Sequence, residues 1–347
     1  MDKRNNSRLA LPDFFNPDEA GKVRKVDYEK IAGKASKYAI NNSIKPSASD
    51  KYKICLLAVD MQNTFCAPGY ELFVSGRSGN GAVEDTKRLC EFIYKNLDII
   101  TEIIPTMDTH QPLQIFHSIF LVNEKGEHPS PYTLISADDV EKGLWKTNPA
   151  VNDFLNMEEG QAESFLLHYT KKLKEGGKYN LTVWPYHAML GGIGYALASS
   201  FEETVFFHSI ARCCQPDIQL KGNNPLSEHY SVFGPEVKER VDGKKIASKN
   251  TQLINKLMDY DVIIITGEAK SHCVAWTIDD LLRDFLLNKK HLTQKVYLLE
   301  DCTSPVVIPG VIDYTDEADK AFKKFAAAGM HIVHSTDPIE SWPGIQL

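Results

Sequence analysis

The sequence predicts an α/β protein of three layers, αβα, with helices on both faces of an open, mostly parallel central sheet. Three observations predict it. Short continuous apolar runs such as KICLLAVD and DVIIITG have the length and two-sided apolarity of strands buried on both faces. Stretches of helical length separate these runs, so strand and helix alternate along the chain. At 347 residues, 43% of them hydrophobic, the chain is long enough to cover both faces of such a sheet.

In order, residues 1–50 are polar, lack alternation and end in the turn-rich NNSIKPSASD. They read as an extension that wraps the domain or a neighbouring subunit, or as a disordered tail. A single domain, 51–347, follows. KICLLAVD (53–60) is its first strand, with a helix expected near 83–99. TEIIPTMD (101–108) is the second strand. Residues 117–178 break the rhythm as a long, charged, partly helical insertion, read as a cap or an oligomer contact. YNLTVW (179–184) is expected as a third strand, followed by a helix near 192–208. PDIQLKG (216–222), DVIIITG (261–267), KVYLLED (295–301) and MHIVHS (330–335) complete the strands, with a last helix near 315–328. Right-handed crossovers are the expected connections.

Charge excludes some classes of function. The net charge is -7 and basic runs are absent, which argues against nucleic acid and anionic membrane as partners. No apolar run approaches the ~20 residues of a membrane-spanning helix. The N-terminal stretch MDKRNNSRLALPDFF lacks the apolar core of a secretory signal. Seven cysteines without a repeating pattern suit reduced thiols. A cytoplasmic location is the expectation.

Open α/β sheets bind ligands beyond the carboxyl ends of their strands, and reactive side chains collect there. Asp60 ends the first strand, Asp108 and His110 the second, and Lys221 the fourth; Trp184 closes YNLTVW and His187 follows it. Cys273 lies just past DVIIITG, at the start of a helix, where free N–H groups favour a thiolate. Taken singly, each also fits a solvated loop residue, a cap or inert packing. His272 adjoins Cys273, but helix neighbours point about 100° apart, so a base from another strand, Asp60 or Lys221, fits better. Asp108, His110 and His187 form a two-histidine, one-carboxylate set with open positions for water or substrate; on residue types alone, capping roles explain them equally well.

The order VDMQNTF, MDTHQP, WPYH, LKGNNPLSEHYSVF and GEAKSHCV resembles the isochorismatase-like cysteine hydrolases, and among them the nicotinamidases (pyrazinamidases). The resemblance spans roughly residues 53–335 apart from the insertion, and it implies the isochorismatase-like hydrolase fold. It implies a catalytic triad of Asp60, Lys221 and Cys273. It also implies a divalent metal, Zn2+ first and Fe2+ or Mn2+ next, on Asp108, His110 and His187. A cis peptide at Glu268–Ala269 would join the N–H of Cys273 in an oxyanion hole, and Phe65 and Trp184 would wall a pyridine ring. The implied reaction converts nicotinamide to nicotinate and ammonia through a cysteine thioester, and a homo-oligomer, dimer or tetramer, is the implied assembly.

Two alternatives stand beside it: hydrolysis of another small amide, carbamoyl compound or vinyl ether, and a non-catalytic ligand-binding or scaffold protein. The chain departs from the family pattern at Thr64, where an acid is common, and at Trp276, where smaller or polar residues are. The insertion, which holds His117 and His128, is longer than in compact nicotinamidases. His229 and Tyr230 read as sheet-edge or interface residues.

Overall fold

The structure, a computed structural model, describes residues 8–157 and 159–347. Its central sheet has six parallel strands: β1 (Ile54–Val59), β2 (Glu102–Asp108), β3 (Gln219–Lys221), β4 (Val262–Gly267), β5 (Val296–Leu299) and β6 (His331–Val333), in the order β6-β5-β4-β1-β2-β3. Every residue of β1 and β4 is buried, as continuous apolar runs at the middle of a parallel sheet should be. Seven longer helices accompany it: α1 (Tyr28–Asn41), α2 (Gly81–Lys95), α3 (Glu159–Glu175), α4 (Ser199–Arg212), α5 (Thr251–Met258), α6 (Ala275–Asn288) and α7 (Thr315–Ala327).

Alternation along β1 sorts the layers. Ile54, Leu56 and Ala58 enter one core with Leu89 and Phe92 of α2 and Phe201 and Val205 of α4. Cys55, Leu57 and Val59 enter the other with Leu253 of α5, Leu281 and Phe285 of α6 and Phe322 of α7. The architecture is the expected three-layer one. The chain moves outward from β1 through β2 to β3, then returns to lay β4 on the other side of β1. That reversal makes a crevice above β1 and β4, where such sheets bind ligands.

The third expected strand is a correction. In YNLTVW only Leu181–Thr182 is extended, and it pairs antiparallel with Leu134–Ile135 of the insertion, outside the central sheet. Leu181, Val183 and Trp184 bury themselves against the insertion's apolar side chains. A short apolar run does not specify its partner, and a nearby one satisfied this run.

Residues 8–50 lie along the first layer. α1, capped by the Asp27 side chain, packs Ile31 and Ala35 towards α4. Arg24 makes a paired contact with Glu203 of α4 at 2.9 and 3.0 Å, and Phe14 and Tyr38 pack on Phe207. Neither α1 nor α5 was expected from the sequence. α1 buries only a sparse stripe, and α5 is eight residues held by its Asn250 cap. Among the described residues no helix is long and apolar enough to cross a membrane.

Candidate active site

Register brings the polar strand ends together. Asp108 pairs with Lys221 across β2 and β3, and Val59 pairs with Gly267 across β1 and β4. Asp60 therefore leaves β1 beside the segment that begins with Glu268 and leads to Cys273. Asp60 has φ +46, a left-handed conformation that aspartate tolerates better than most residues. Its Oδ1 accepts from Thr106 Oγ1 at 2.5 Å, which fixes the carboxyl. Gln62 of the QNTF segment clamps the backbone of Asp108 from both sides: its Oε1 accepts from the Asp108 N–H at 2.7 Å and its Nε2 donates to the Asp108 carbonyl at 2.9 Å.

Lys221 is the hub. Its Nζ lies 2.8 Å from Asp60 Oδ2, 3.0 Å from Asp108 Oδ1 and 3.4 Å from Cys273 Sγ, and it donates to the His229 carbonyl at 2.9 Å. The ammonium, both carboxylates and the thiol are all buried. Burial alone would strip the lysine of its proton, but Asp108 and Asp60 more than offset that and hold its pKa well above the ordinary value. Burial lifts Asp60 above the usual carboxylate range despite Lys221. It also pushes the Cys273 thiol well up, with Lys221 opposing and the two carboxylates reinforcing. Here the structure differs from the expected helix-start thiolate. Cys273 sits in a turn of π-helix, Lys270–Val274, ahead of α6, in a dry pocket beside negative charge, so its resting form is the thiol.

Asp108, His110 and His187 converge beside this hub, with ligand atoms all within 4.8 Å of one another. His187 is held off the sheet, where His110 donates its N–H to the Ala188 carbonyl at 3.0 Å. Backbone carbonyls fix both tautomers: His110 Nδ1 is 3.1 Å from the Gly222 carbonyl, and His187 Nδ1 is 2.8 Å from that of Pro185. Each Nδ1 therefore carries the proton, and each Nε2 presents a lone pair towards Asp108 Oδ2, 2.9 Å and 3.9 Å away. His110 Nε2 is fully buried against the Asp108 carboxylate. Two lone pairs and a carboxylate oxygen are the donor set of a Zn2+ or similar divalent ion, whose ligands stand about 3.3 Å apart when bonds are ~2.0–2.1 Å and tetrahedral. The residues present fit the metal. Gly222 permits the crowding: its φ is +87, and a Cβ there would stand 2.4 Å from Asp108 Oδ1.

The pocket beside Cys273 is walled by Phe65, Leu72, Trp184, Tyr230, His272 and Val306, with Asp108, His187, Glu228 and Ala269 also on its lining. Phe65 and Trp184 thus stand on the wall of the pocket that holds Cys273. The Glu268–Ala269 peptide is cis, and Ala269 is on the pocket wall. His272 does not pair with Cys273. Its Nδ1 is 2.8 Å from Ser271 Oγ, and its ring packs among Tyr179, Trp184, Tyr230 and Tyr314.

Tyr230 lines the pocket, where its hydroxyl accepts from Trp184 Nε1 at 3.0 Å. His229 is buried and contributes its carbonyl to Lys221. Glu228 carries no local sequence signal of a site residue. Its carboxyl is buried beside His110, Asp108 and Lys221, and burial raises it to about 7. It stands seven residues after Lys221 within LKGNNPLSEHYSVF, and only the fold brings it back to the site. Thr64 donates to Glu71 Oε2 at 2.9 Å, so Glu71 supplies an acid next to the position where the family often has one. Trp276 packs away from the pocket, under Lys178 Nζ at 3.7 Å. His117 is buried outside the three-ligand group, and His128 is exposed with Nδ1 2.7 Å from the Leu121 carbonyl.

No family model matches this sequence, and no curated protein matches it by sequence. Solved structures do match in fold. The yeast nicotinamidase bound to the inhibitor nicotinaldehyde has 17% identity and a TM-score of 0.50, covering 81% of this chain and 99% of its own. An Acinetobacter baumanii nicotinamidase/pyrazinamidase has 17% identity and a TM-score of 0.48, covering 83% of this chain and 99% of its own. The pyrazinamidase of Pyrococcus horikoshii in complex with zinc has 17% identity and a TM-score of 0.41, with 81% and 99% covered. The chain shares the α/β fold of the yeast nicotinamidase structure.

Proposed function

We propose that the chain is a metal-containing cysteine amidohydrolase that converts a small carboxamide, nicotinamide first, to the acid and ammonia. One observation carries this reading: Lys221 holds Asp60 and Cys273 in one buried cluster, 2.8 and 3.4 Å from its Nζ. A thiol and a carboxyl placed so close have the geometry of a nucleophile and its base. Asp60 takes the thiol proton as Sγ attacks the carboxamide carbon. The backbone N–H groups of Ala269 and Cys273 receive the developing oxyanion. Asp60 passes its proton to the leaving nitrogen, ammonia departs, and a thioester remains. Water then attacks the thioester carbon, Asp60 accepts a proton from that water, and the acid leaves as the proton returns to sulfur. Lys221 stays charged throughout and keeps Asp60 competent to ionise in a dry site. Asp108, His110 and His187 would hold the metal, which supplies a Lewis-acid contact for a donor atom of substrate or water. Phe65, Trp184 and Tyr230 exclude water and stack against a flat ring.

Ammonia release from nicotinamide, measured for the wild type and Cys273→Ala, tests the proposal. Turnover in the wild type that falls at least ~10³-fold in the variant, with an unchanged thermal midpoint, is expected when a covalent nucleophile is removed. Comparable release by both proteins would exclude Cys273 as the nucleophile. No release by either would exclude nicotinamide as the substrate.

A further inference from the structure

Outside the hub, a second buried acidic pair lies behind the segment that carries Cys273. Glu268 precedes Ala269 and is fully buried, as is Asp85 of α2. Their carboxyl groups are hydrogen-bonding neighbours. We propose that Glu268 and Asp85, tied to Arg88 and Ser304, form a positioning device that fixes the 268–273 turn for catalysis. This rests on the function proposed above, in which that turn bears both the nucleophile and the oxyanion donors.

The contacts surround the turn. Asp85 Oδ1 accepts from Arg88 Nη2 at 2.7 Å, and Arg88 Nε donates to the Asp301 carbonyl. Ser304 lies on both sides of Ala269: its N–H points to Glu268 Oε2 at 3.4 Å, and its carbonyl accepts from the Lys270 N–H at 2.8 Å. The Glu268 N–H donates to the Val59 carbonyl, just before Asp60. One carboxyl thus connects α2, the 300–304 segment and the catalytic turn. Gly81 and Gly76 crowd Ser304, so it has little room to move: a Cβ at Gly81 would stand 2.5 Å from its hydroxyl.

Glu268 Oε1 and Asp85 Oδ2 are both buried, and neither has a partner that donates to it. Two carboxylates in that position would repel each other, whereas one proton between them satisfies both oxygens. Burial first, and then Asp85, lift Glu268 well above the carboxylate range; burial also raises Asp85, but hydrogen bonds from Ser304 and Arg88 oppose that rise. The proton therefore resides on Glu268, which donates to Asp85. The other titratable groups facing the pair are the Cys66 thiol and, through Arg88, Asp301 and Cys302. The mechanism uses none of these groups.

The test separates a donor from a mere filler. Glu268→Gln retains a donor to Asp85 with no ionisable proton, and Glu268→Leu keeps bulk without a donor. In Glu268→Leu, kcat for nicotinamide should fall at least tenfold with KM within about twofold, and Glu268→Gln should restore it to within about threefold. Two readouts need no substrate: alkylation of Cys273 by iodoacetamide and amide hydrogen exchange across 268–275. Both should change in Glu268→Leu and return to wild type in Glu268→Gln. They remain decisive if nicotinamide is not turned over, so failure of this inference is distinguishable from failure of the proposed reaction. Equal damage by Gln and Leu, or no change in exchange and alkylation with either, would overturn it.

Discussion

Lys221 is a buried cation with two carboxylates, a thiol and a carbonyl around one ammonium. Replacing it by methionine keeps the stem but leaves Asp60 and Asp108 buried without their cation. Removing one partner of such a cluster costs about 3–5 kcal/mol, and urea unfolding of Lys221→Met at pH 7 should show a loss of that order alongside loss of turnover. Without Lys221 the Asp60 carboxyl rises further above its unfolded value. A folded pKa above the unfolded one gives stability that is present at low pH and lost as pH rises through the folded pKa. The deficit should therefore shrink on acidification towards pH 4; a deficit that stays constant or grows there would show that uncompensated carboxylates are not its cause. At this scale the sequence is legible where chemistry demands a residue type at a strand end. Asp60, Asp108, His110, Lys221 and Cys273 satisfy that condition. Glu228 and Tyr230 do not, since they reach the pocket from a loop that doubles back after β3.

At the scale of elements, strands β1, β2, β4 and β5 are legible because burial on both faces leaves continuous apolar runs. Local pattern is silent about pairing, and so YNLTVW finds Leu134–Ile135 rather than the sheet. α4 illustrates a different limit. It packs on the sheet with a fully buried histidine, His208, whose Nε2 donates to the Ile100 carbonyl at 2.9 Å. Burial holds that imidazole down at about 4. The unfolded chain binds the proton below about 6.5, whereas the folded one does so only near 4. The stability tied to neutral His208 is therefore present above pH 6.5 and lost as pH falls towards 4. Comparing urea unfolding of the wild type and His208→Gln should show the wild type's advantage shrinking by about 1–2 kcal/mol between pH 7.5 and pH 5. A constant gap would mean that His208 titrates alike in both states.

For the whole molecule, the resemblance carried by five motifs conveyed the topology, because those motifs mark the carboxyl edge of the sheet in chain order. It conveyed nothing about residues 8–50, which hold α4 through Arg24 and Glu203. The three ligand candidates also unite distant parts of the fold: Asp108 ends β2, His110 follows it, and His187 stands on the loop between the insertion and α4. An ion bound there links these segments only in the folded state, and a ligand bound only to the folded state stabilises it by about 2.7 kcal/mol at a hundred times its dissociation constant. Purified protein should carry about one divalent ion per chain. Dipicolinate should lower the thermal midpoint by several degrees, and Zn2+ should restore it. His187→Ala should remove most of this metal-dependent shift, read as the difference between chelated and Zn2+-loaded protein, because the imidazole's packing on Phe65, His110 and Trp184 is lost alike with and without the ion. If the chelator leaves the wild-type midpoint where it was, and Zn2+ added to treated protein does nothing, then Asp108, His110 and His187 are a hydrogen-bonded cluster, and the lone pairs on the two Nε2 atoms serve the substrate directly.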